Sequence, residues 1–304
     1  MPDRPAFYHP SSLDEAVGLL SSLGEDAKVV AGATALTIML RQRLIAPTAL
    51  VHIGRLPGLD TIEVQGDELV LGALVKHRDV ELSPLVRERL PVLARVFGVV
   101  ANVRVRNAAT VGGVLAESDY ASDPPAAFLA LDAVVDVYGP DGARQIPIAD
   151  FFVAFYETAI LPAELVTGIR VPLLPAGTGA VYEKFVTRSS EDRPCVGVAG
   201  IVRLNPDGTY ADLRAAVGAA AETPQRFPDL EQEAVGQQPD DALHRRIAEG
   251  YASRIEPLDD MRGSAWYRTE MVKVWVRRAI EGALADARAK AGSGTSGGSG
   301  TSGG

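Results

Sequence analysis

The amino-acid sequence predicts an α+β protein, and three observations carry that prediction. Short β-branched runs alternate with stretches that are apolar at helical spacing. Gly, Asp and Pro turn signals sit between paired runs, as hairpins require. Beyond about residue 178 the strands come first and the helices follow. That order builds a helical layer against a sheet rather than a parallel βαβ array.

Within residues 1–57 the pattern reads helix (13–20), strand (28–31), helix (34–45) and strand (49–53), closed by a turn at Pro57 and Gly58. Residues 58–176 read as strand-rich with one long helical insert. Strands at 61–64 and 68–72 flank Gly66 and Asp67, and strands at 133–138 and 144–148 flank a Gly-Pro-Asp-Gly turn. Between these pairs residues 87–100 read as a single helix, and 165–171 as a further strand. Residues 177–290 read as strands at 182–187, 196–204 and 210–216, then helices near 240–253 and 267–288. The apolar face of that last helix, with Trp266, Val272, Val274, Trp275, Val276 and Ile280, is expected in the core. Residues 292–304 read GSGTSGGSGTSGG, and 291–304 is set aside as an engineered flexible linker.

Composition narrows the function. Thirty basic side chains against 39 acidic ones leave a net charge of −9, which disfavours nucleic acid or an anionic membrane as partner. No apolar run approaches the roughly 20 residues of a membrane helix, so no membrane insertion is expected. The first residues carry neither the basic nor the apolar part of a secretory leader. The one cysteine, Cys195, fits a reducing cytoplasm. It also excludes an iron–sulfur cluster held by this chain alone, which needs about four thiolates. Four histidines without HxxxH or HExxH spacing indicate no metal site.

Two segments carry candidate chemistry. In the first (Val29, Val30, Ala31, Gly32, Ala33, Thr34, Ala35, Leu36), an apolar strand runs into small residues and then a helix. Slim side chains let backbone N–H groups approach an anion, and a helix N-terminus adds donors and a favourable dipole. Taken alone, this segment reads as a turn that needs glycine for geometry. The second is denser. It holds Thr110, Val111, Gly112, Gly113 and Val114, then Asp123 before Pro124 and Pro125. Gly112 and Gly113 leave the backbone unhindered beside the Thr110 hydroxyl, a phosphate donor, and Asp123 is a suitable acceptor for ribose hydroxyls. Donors and acceptor lie within fourteen residues, which outweighs a plain surface loop. Neither a GxGxxG fingerprint nor a GxxxxGK[ST] loop occurs. Any dinucleotide must therefore be cradled by two separated glycine loops. No nucleophile or acid–base pair stands out, and Glu191 with Asp192 reads as a solvated charge run.

On these residues the chain resembles the FAD-binding medium subunits of molybdenum hydroxylases, the family of carbon monoxide dehydrogenase flavoproteins and xanthine dehydrogenase flavin domains. The family's AGGxxL-like loop is matched at 31–36, its IRNxxTIGGN loop at 105–114 and its SxxxDxPP-type segment at 118–125. Its LLALDA run corresponds to 128–133, and its YxKxxxR pattern to Tyr182, Lys184 and Arg188. The resemblance spans residues 5–288 in order.

It implies a PCMH-type (vanillyl-alcohol-oxidase-like) FAD-binding fold of two α/β subdomains, here 1–57 and 58–176, with FAD between them. A C-terminal α+β domain like that of carbon monoxide dehydrogenase flavoproteins follows at 177–290. By this resemblance residues 29–36 and 110–114 hold the pyrophosphate, and Asp123 takes ribitol or ribose hydroxyls. Ile160 or Leu161 packs near adenine, and Val100 and Ala101 line the cofactor. Lys184 approaches the isoalloxazine, where a cation stabilises the charge of reduced flavin. His77, in a GAxxxH-like segment, sits near the flavin or, with equal weight, at the surface.

Two family positions differ: Ala33 stands for a glycine, which requires negative φ there, and Val114 stands for an asparagine. Arg193 and Pro194 fall where the family places residues beside the flavin ring. Cys195 reads as a packed core thiol before a strand.

The resemblance implies an electron-transfer flavoprotein subunit of an oxidoreductase, with no catalytic residue of its own. A large partner subunit would hold the molybdenum cofactor and a small one two [2Fe-2S] clusters, in a dimer of heterotrimers. The alternatives are a self-contained flavin oxidoreductase and an assembly module that has lost FAD.

Overall fold

The computed structural model describes residues 4–294 and has the mixed helix–sheet architecture expected. The chain opens with β1 (Ala6–Tyr8), α1 (Leu13–Leu23), β2 (Ala27–Val30), α2 (Thr34–Arg41) and β3 (Ala49–His52). The three strands form a parallel sheet in the order β1-β3-β2. The Ser12 hydroxyl accepts from the Glu15 amide to cap α1, which buries Ala16, Val17 and Leu20. The helix expected over 34–45 stops at Arg41. Arg43 takes φ 58°, and the Arg43 and Leu44 amides donate back to the carbonyls of Leu40 and Met39. This left-handed stop ends the ladder before the apolar pattern ends.

A second unit follows. The hairpin β4 (Ile62–Gln65) and β5 (Glu68–Gly72) leads into six helices: α3 (His77–Leu82), α4 (Pro84–Arg89), α5 (Pro91–Gly98), α6 (Val103–Arg106), α7 (Val111–Glu117) and α8 (Pro124–Ala130). Then come β6 (Val134–Gly139), β7 (Gly142–Pro147), α9 (Ile148–Phe151), β8 (Phe152–Ala154), β9 (Glu157–Thr158) and β10 (Leu165–Pro172). The antiparallel sheet runs β4-β5-β10-β6-β7. The single helix expected over 87–100 is two, divided at Leu90 (φ −143°, ψ 69°). Pro91 forces that break, because its ring disfavours helical geometry in the residue before it, and it then serves as the first residue of α5.

The third unit is β11 (Gly179–Phe185), β12 (Val196–Leu204) and β13 (Tyr210–Gly218), followed by α10 (Pro228–Gln232), α11 (Asp241–Arg254) and α12 (Ala265–Gly294). Strand alternation divides this antiparallel sheet between two cores. Ala180, Tyr182, Ala199, Ile201 and Ala216 pack into the core that holds Leu69, Leu71, Phe97 and Phe128. Val181, Val198, Val202 and Val217 face the opposite way, among Ile247, Val272, Val276 and Ile280 of α11 and α12. Of the apolar face expected in the core, Trp266 and Val274 are exposed instead. Helix α12 runs on to Gly294, into the segment set aside as a linker; residues 295–304 lie outside the described residues. Among the described residues no helix is long and apolar enough to cross a membrane.

Candidate functional site

The β2–α2 turn, the helical block, the segment before β10 and the loop after β11 enclose a cavity of about 550 Å³, within the range that holds cofactors. Val29, Val30, Ala31, Gly32, Ala33, Thr34, Ala35, Leu36, His77, Val100, Ala101, Thr110, Gly112, Gly113, Val114, Asp123 and Ile160 all line it. Three expected residues do not. Val111 is fully buried beneath the wall, Leu161 is exposed beside Ile160, and Lys184 stands behind Asp123.

The two glycine loops converge. A Cβ on Gly32 would stand 2.1 Å from the Ala108 carbonyl oxygen, so only glycine permits this approach. Among the described residues the amides of Gly32, Ala33, Thr34, Ala35 and Leu36 have no protein acceptor. They are the orphan donors of a helix start, and Ala33 at the N-cap supplies no side-chain acceptor. Ala33 takes φ 59°, ψ 10°, which overturns the requirement for negative φ. The close turn into α2 needs the left-handed conformation, at roughly 1–2 kcal/mol for a residue with a Cβ.

The second loop differs. The Val111 amide donates to the Val75 carbonyl (2.9 Å), Gly112 to Ala73 (2.8 Å), Gly113 to the Thr110 hydroxyl oxygen (3.1 Å) and Val114 to the Thr110 carbonyl (3.0 Å). The expectation of open backbone donors here is therefore corrected. Thr110 caps α7, and the loop is stitched to the segment after β5. Gly112 answers to packing, since a Cβ there would meet that of Ala73 at 2.6 Å. The Thr110 hydroxyl keeps its own proton to donate into the cavity.

His77 is 2% exposed, so the surface alternative does not hold. Its Nε2 lies 3.2 Å from the Thr110 carbonyl oxygen, which makes that nitrogen the protonated one. Burial pulls the imidazole down to about pKa 4, so it is neutral at pH 7. Its Nδ1 is buried and has no partner among the described residues. Arg106, quoted in the loop motif but not among the expected site residues, sets the neighbouring wall. Its Nη1 donates to the carbonyls of Val100 (3.0 Å) and Ala101 (2.9 Å), and its Nε to Glu81 (2.9 Å). That fork holds Ala101 at φ 42°.

Asp123 is 3% exposed and already engaged. Its Oδ1 accepts from the Tyr182 hydroxyl (2.9 Å) and its Oδ2 from Lys184 Nζ (3.0 Å), which also donates to the Val99 carbonyl (2.8 Å). Burial pushes this carboxyl up to about pKa 6, and Lys184 pulls against it. Each oxygen retains a second lone pair for a ligand hydroxyl. Two further wall residues, Glu117 and Tyr156, escaped sequence reasoning, while Arg193, which the resemblance placed beside the flavin ring, does line the cavity. Arg193 reaches Asp119 at 2.6 Å, placing a cation on the loop that follows β11. Neither Glu117 nor Tyr156 falls in a recognisable local pattern, so nothing in the sequence singled out their convergence. Cys195 is fully buried, and burial raises its thiol.

Residues 3–174 match the family described as the FAD binding domain in molybdopterin dehydrogenase, and residues 180–283 match the carbon monoxide dehydrogenase flavoprotein C-terminal domain. The chain belongs to the FAD-binding medium-subunit family of molybdenum-containing dehydrogenases. It is 35% identical over 285 residues to the carbon monoxide dehydrogenase medium chain of Hydrogenophaga pseudoflava, covering 94% of this chain and 99% of that one. It is also 35% identical to the nicotine 6-hydroxylase medium subunit of Paenarthrobacter nicotinovorans, over 90% and 95% of the two chains. Among solved structures it superposes on carbon monoxide dehydrogenase from Hydrogenophaga pseudoflava with a TM-score of 0.91 at 36% identity, covering 94% of this chain and 99% of that chain. On quinoline 2-oxidoreductase from Pseudomonas putida 86 the TM-score is 0.88 at 27% identity, over 94% and 99%. As a member of this family the chain is an FAD-binding oxidoreductase subunit.

Proposed function

We propose that this chain carries electrons through FAD from iron–sulfur clusters in a partner to an external acceptor, and that substrate oxidation happens elsewhere in the complex. The single observation that carries the reading is the row of unpartnered amides at residues 32–36, opening into a cavity of dinucleotide size. The residues fit FAD. Free N–H groups at a helix start suit a diphosphate, the orphaned Nδ1 of His77 suits a ligand donor, and the remaining wall is apolar or slim.

When bound, FAD supplies the capacity to accept and pass on electrons. The protein's part is placement. Amides 32–36 bind the diphosphate, with the positive end of α2 behind them. The Thr110 hydroxyl donates to the same region, while Val111 supports it from below. Asp123, held ionised and aimed by Lys184 and Tyr182, accepts sugar or ribityl hydroxyls. Val100, Ala101, Val114 and Ile160 exclude water from the wall, and Arg106 fixes the first two. Lys184 thereby acts through Asp123 rather than against the flavin ring.

The partners in this reading are a small subunit with [2Fe-2S] clusters and a large subunit with the molybdenum cofactor, in a cytoplasmic dimer of heterotrimers. One buried cysteine supports this division, because clusters need thiolates this chain lacks. The three larger sheets support units at 1–57, 58–176 and 177–290. Purification from the native host, followed by flavin absorbance and metal analysis, tests the proposal. A yellow complex with iron and molybdenum in companion chains is expected. A solitary, colourless polypeptide would contradict it.

A further inference from the structure

The electron-transfer reading leaves one need unmet. Electrons arriving in a water-poor cavity bring negative charge, and a low-dielectric site tolerates that charge only when it is compensated. The cavity wall holds a carboxyl to which no role has been given. Glu117 is the last residue of α7, its side chain is 18% exposed, and it lines the cavity. Among the described residues no hydrogen-bond donor reaches it. The nearest cation, Arg193, lies 3.9 Å away and is turned instead to Asp119 at 2.6 Å.

We propose that Glu117 is the proton-exchanging group of this cavity, its carboxylate taking one proton from solvent as the bound flavin gains negative charge and returning it when that charge leaves. The inference rests on the FAD reading above. The exchange is a protonation only: an O–H bond forms on the Glu117 carboxyl, the local charge rises by one, and no electron passes through the residue.

Elimination strengthens the assignment. Asp123 has both oxygens engaged by Tyr182 and Lys184. His77 titrates too low to exchange near neutrality, and Tyr156 is pushed above the usual tyrosine range. Asp119 has one oxygen on the Ala121 amide and the other facing Arg193. Glu191 lies on the exposed loop at the mouth. Glu117 itself is pushed up to about 7, first by burial and then by the Asp119 charge, with Arg193 opposing. A carboxyl so placed changes charge within the physiological range. The groups that face it are Asp119 from the turn after α7, Arg193 from the loop after β11, and Tyr156 from the turn before β9.

The test uses the complete flavin-loaded protein and infrared difference spectra between its oxidised and reduced forms, recorded across neutral pH. The wild type should gain a protonated-carboxyl band on reduction, and its flavin midpoint potential should change slope with pH near neutrality. Glu117→Gln should lose both the band and the bend while keeping its flavin absorbance. Glu117→Asp should keep a band, at shifted position. A band that persists in Glu117→Gln, or none in the wild type, would overturn the assignment. A protein that takes up no flavin would contradict the FAD reading itself, an outcome that absorbance alone distinguishes.

Discussion

The two glycine-bearing loops at the cavity look alike in sequence and differ in what their backbone does. Residues 32–36 leave five consecutive amides without a protein acceptor, whereas the amides of Val111, Gly112, Gly113 and Val114 are all taken by carbonyls or by Thr110. Both pair small residues with a helix start. The difference lies in what surrounds the helix start: Ala33 offers no side-chain cap, whereas Thr110 takes the Gly113 amide and the Val75 and Ala73 carbonyls take those of Val111 and Gly112. A side-chain cap satisfies one of the orphan amides at a helix start, and a start whose amides meet neither cap nor carbonyl keeps them for a ligand. One loop is thus the hand, and the other is the table it rests on.

The strongest way to break this comparison is Gly32→Val. Its Cβ would stand 2.1 Å from the Ala108 carbonyl oxygen, far inside van der Waals contact, so the loops must part. Complete loss of bound flavin is expected on purification, together with about 3 kcal/mol of stability from overpacking. Retention of stoichiometric flavin absorbance would show that the convergence is not needed.

His77 supplies a test against pH. The unfolded chain protonates an ordinary histidine near 6.5, and the folded chain only near 4. Between those values the unfolded state binds more protons, so stability falls as pH is lowered through this window. Full descent removes roughly 3 kcal/mol. Denaturant titrations at pH 7 and pH 4 should show His77→Gln losing less of its stability on acidification than the wild type.

The remaining substitutions separate the two loops. Thr110→Val removes the cap from the Gly113 amide, at about 1 kcal/mol in thermal stability. FAD affinity should fall less than tenfold, because only the Thr110 hydroxyl is lost while the amides of residues 32–36 remain. Ala33→Gly relieves the left-handed conformation and should stabilise the protein by about 1 kcal/mol, leaving FAD affinity unchanged. A destabilised Ala33→Gly would mean that the turn is not strained.

Much of this was legible in the sequence because the signals are local. Period-two and helical apolar patterns located the strands of the three larger sheets except β1, and missed the short β8-β9 pair; runs of two or three residues are too few for a pattern. Convergence of the loops followed from matched motifs at 31–36 and 105–114. Hydrogen-bond bookkeeping did not follow, because the acceptors that occupy the second loop, Ala73 and Val75, come from backbone 36 to 39 residues earlier in the chain. Most of the block α3 to α8, apart from the helical stretch read at 87–100, stayed hidden for a related reason. Its helices are four to eight residues long and are held by burial of Leu93, Phe97 and Phe128 rather than by propensity. Lys184 was misplaced since a motif records residue type and not which carboxylate the side chain meets.

The central claim is tested most directly by amide chemical shifts of the ¹⁵N-labelled, flavin-free chain titrated with FAD. The account predicts large downfield proton shifts at Gly32, Ala33, Thr34, Ala35 and Leu36 as they take the diphosphate, and small ones at Val111, Gly112, Gly113 and Val114. Silent amides at 32–36, or the largest shifts at 111–114, would contradict it.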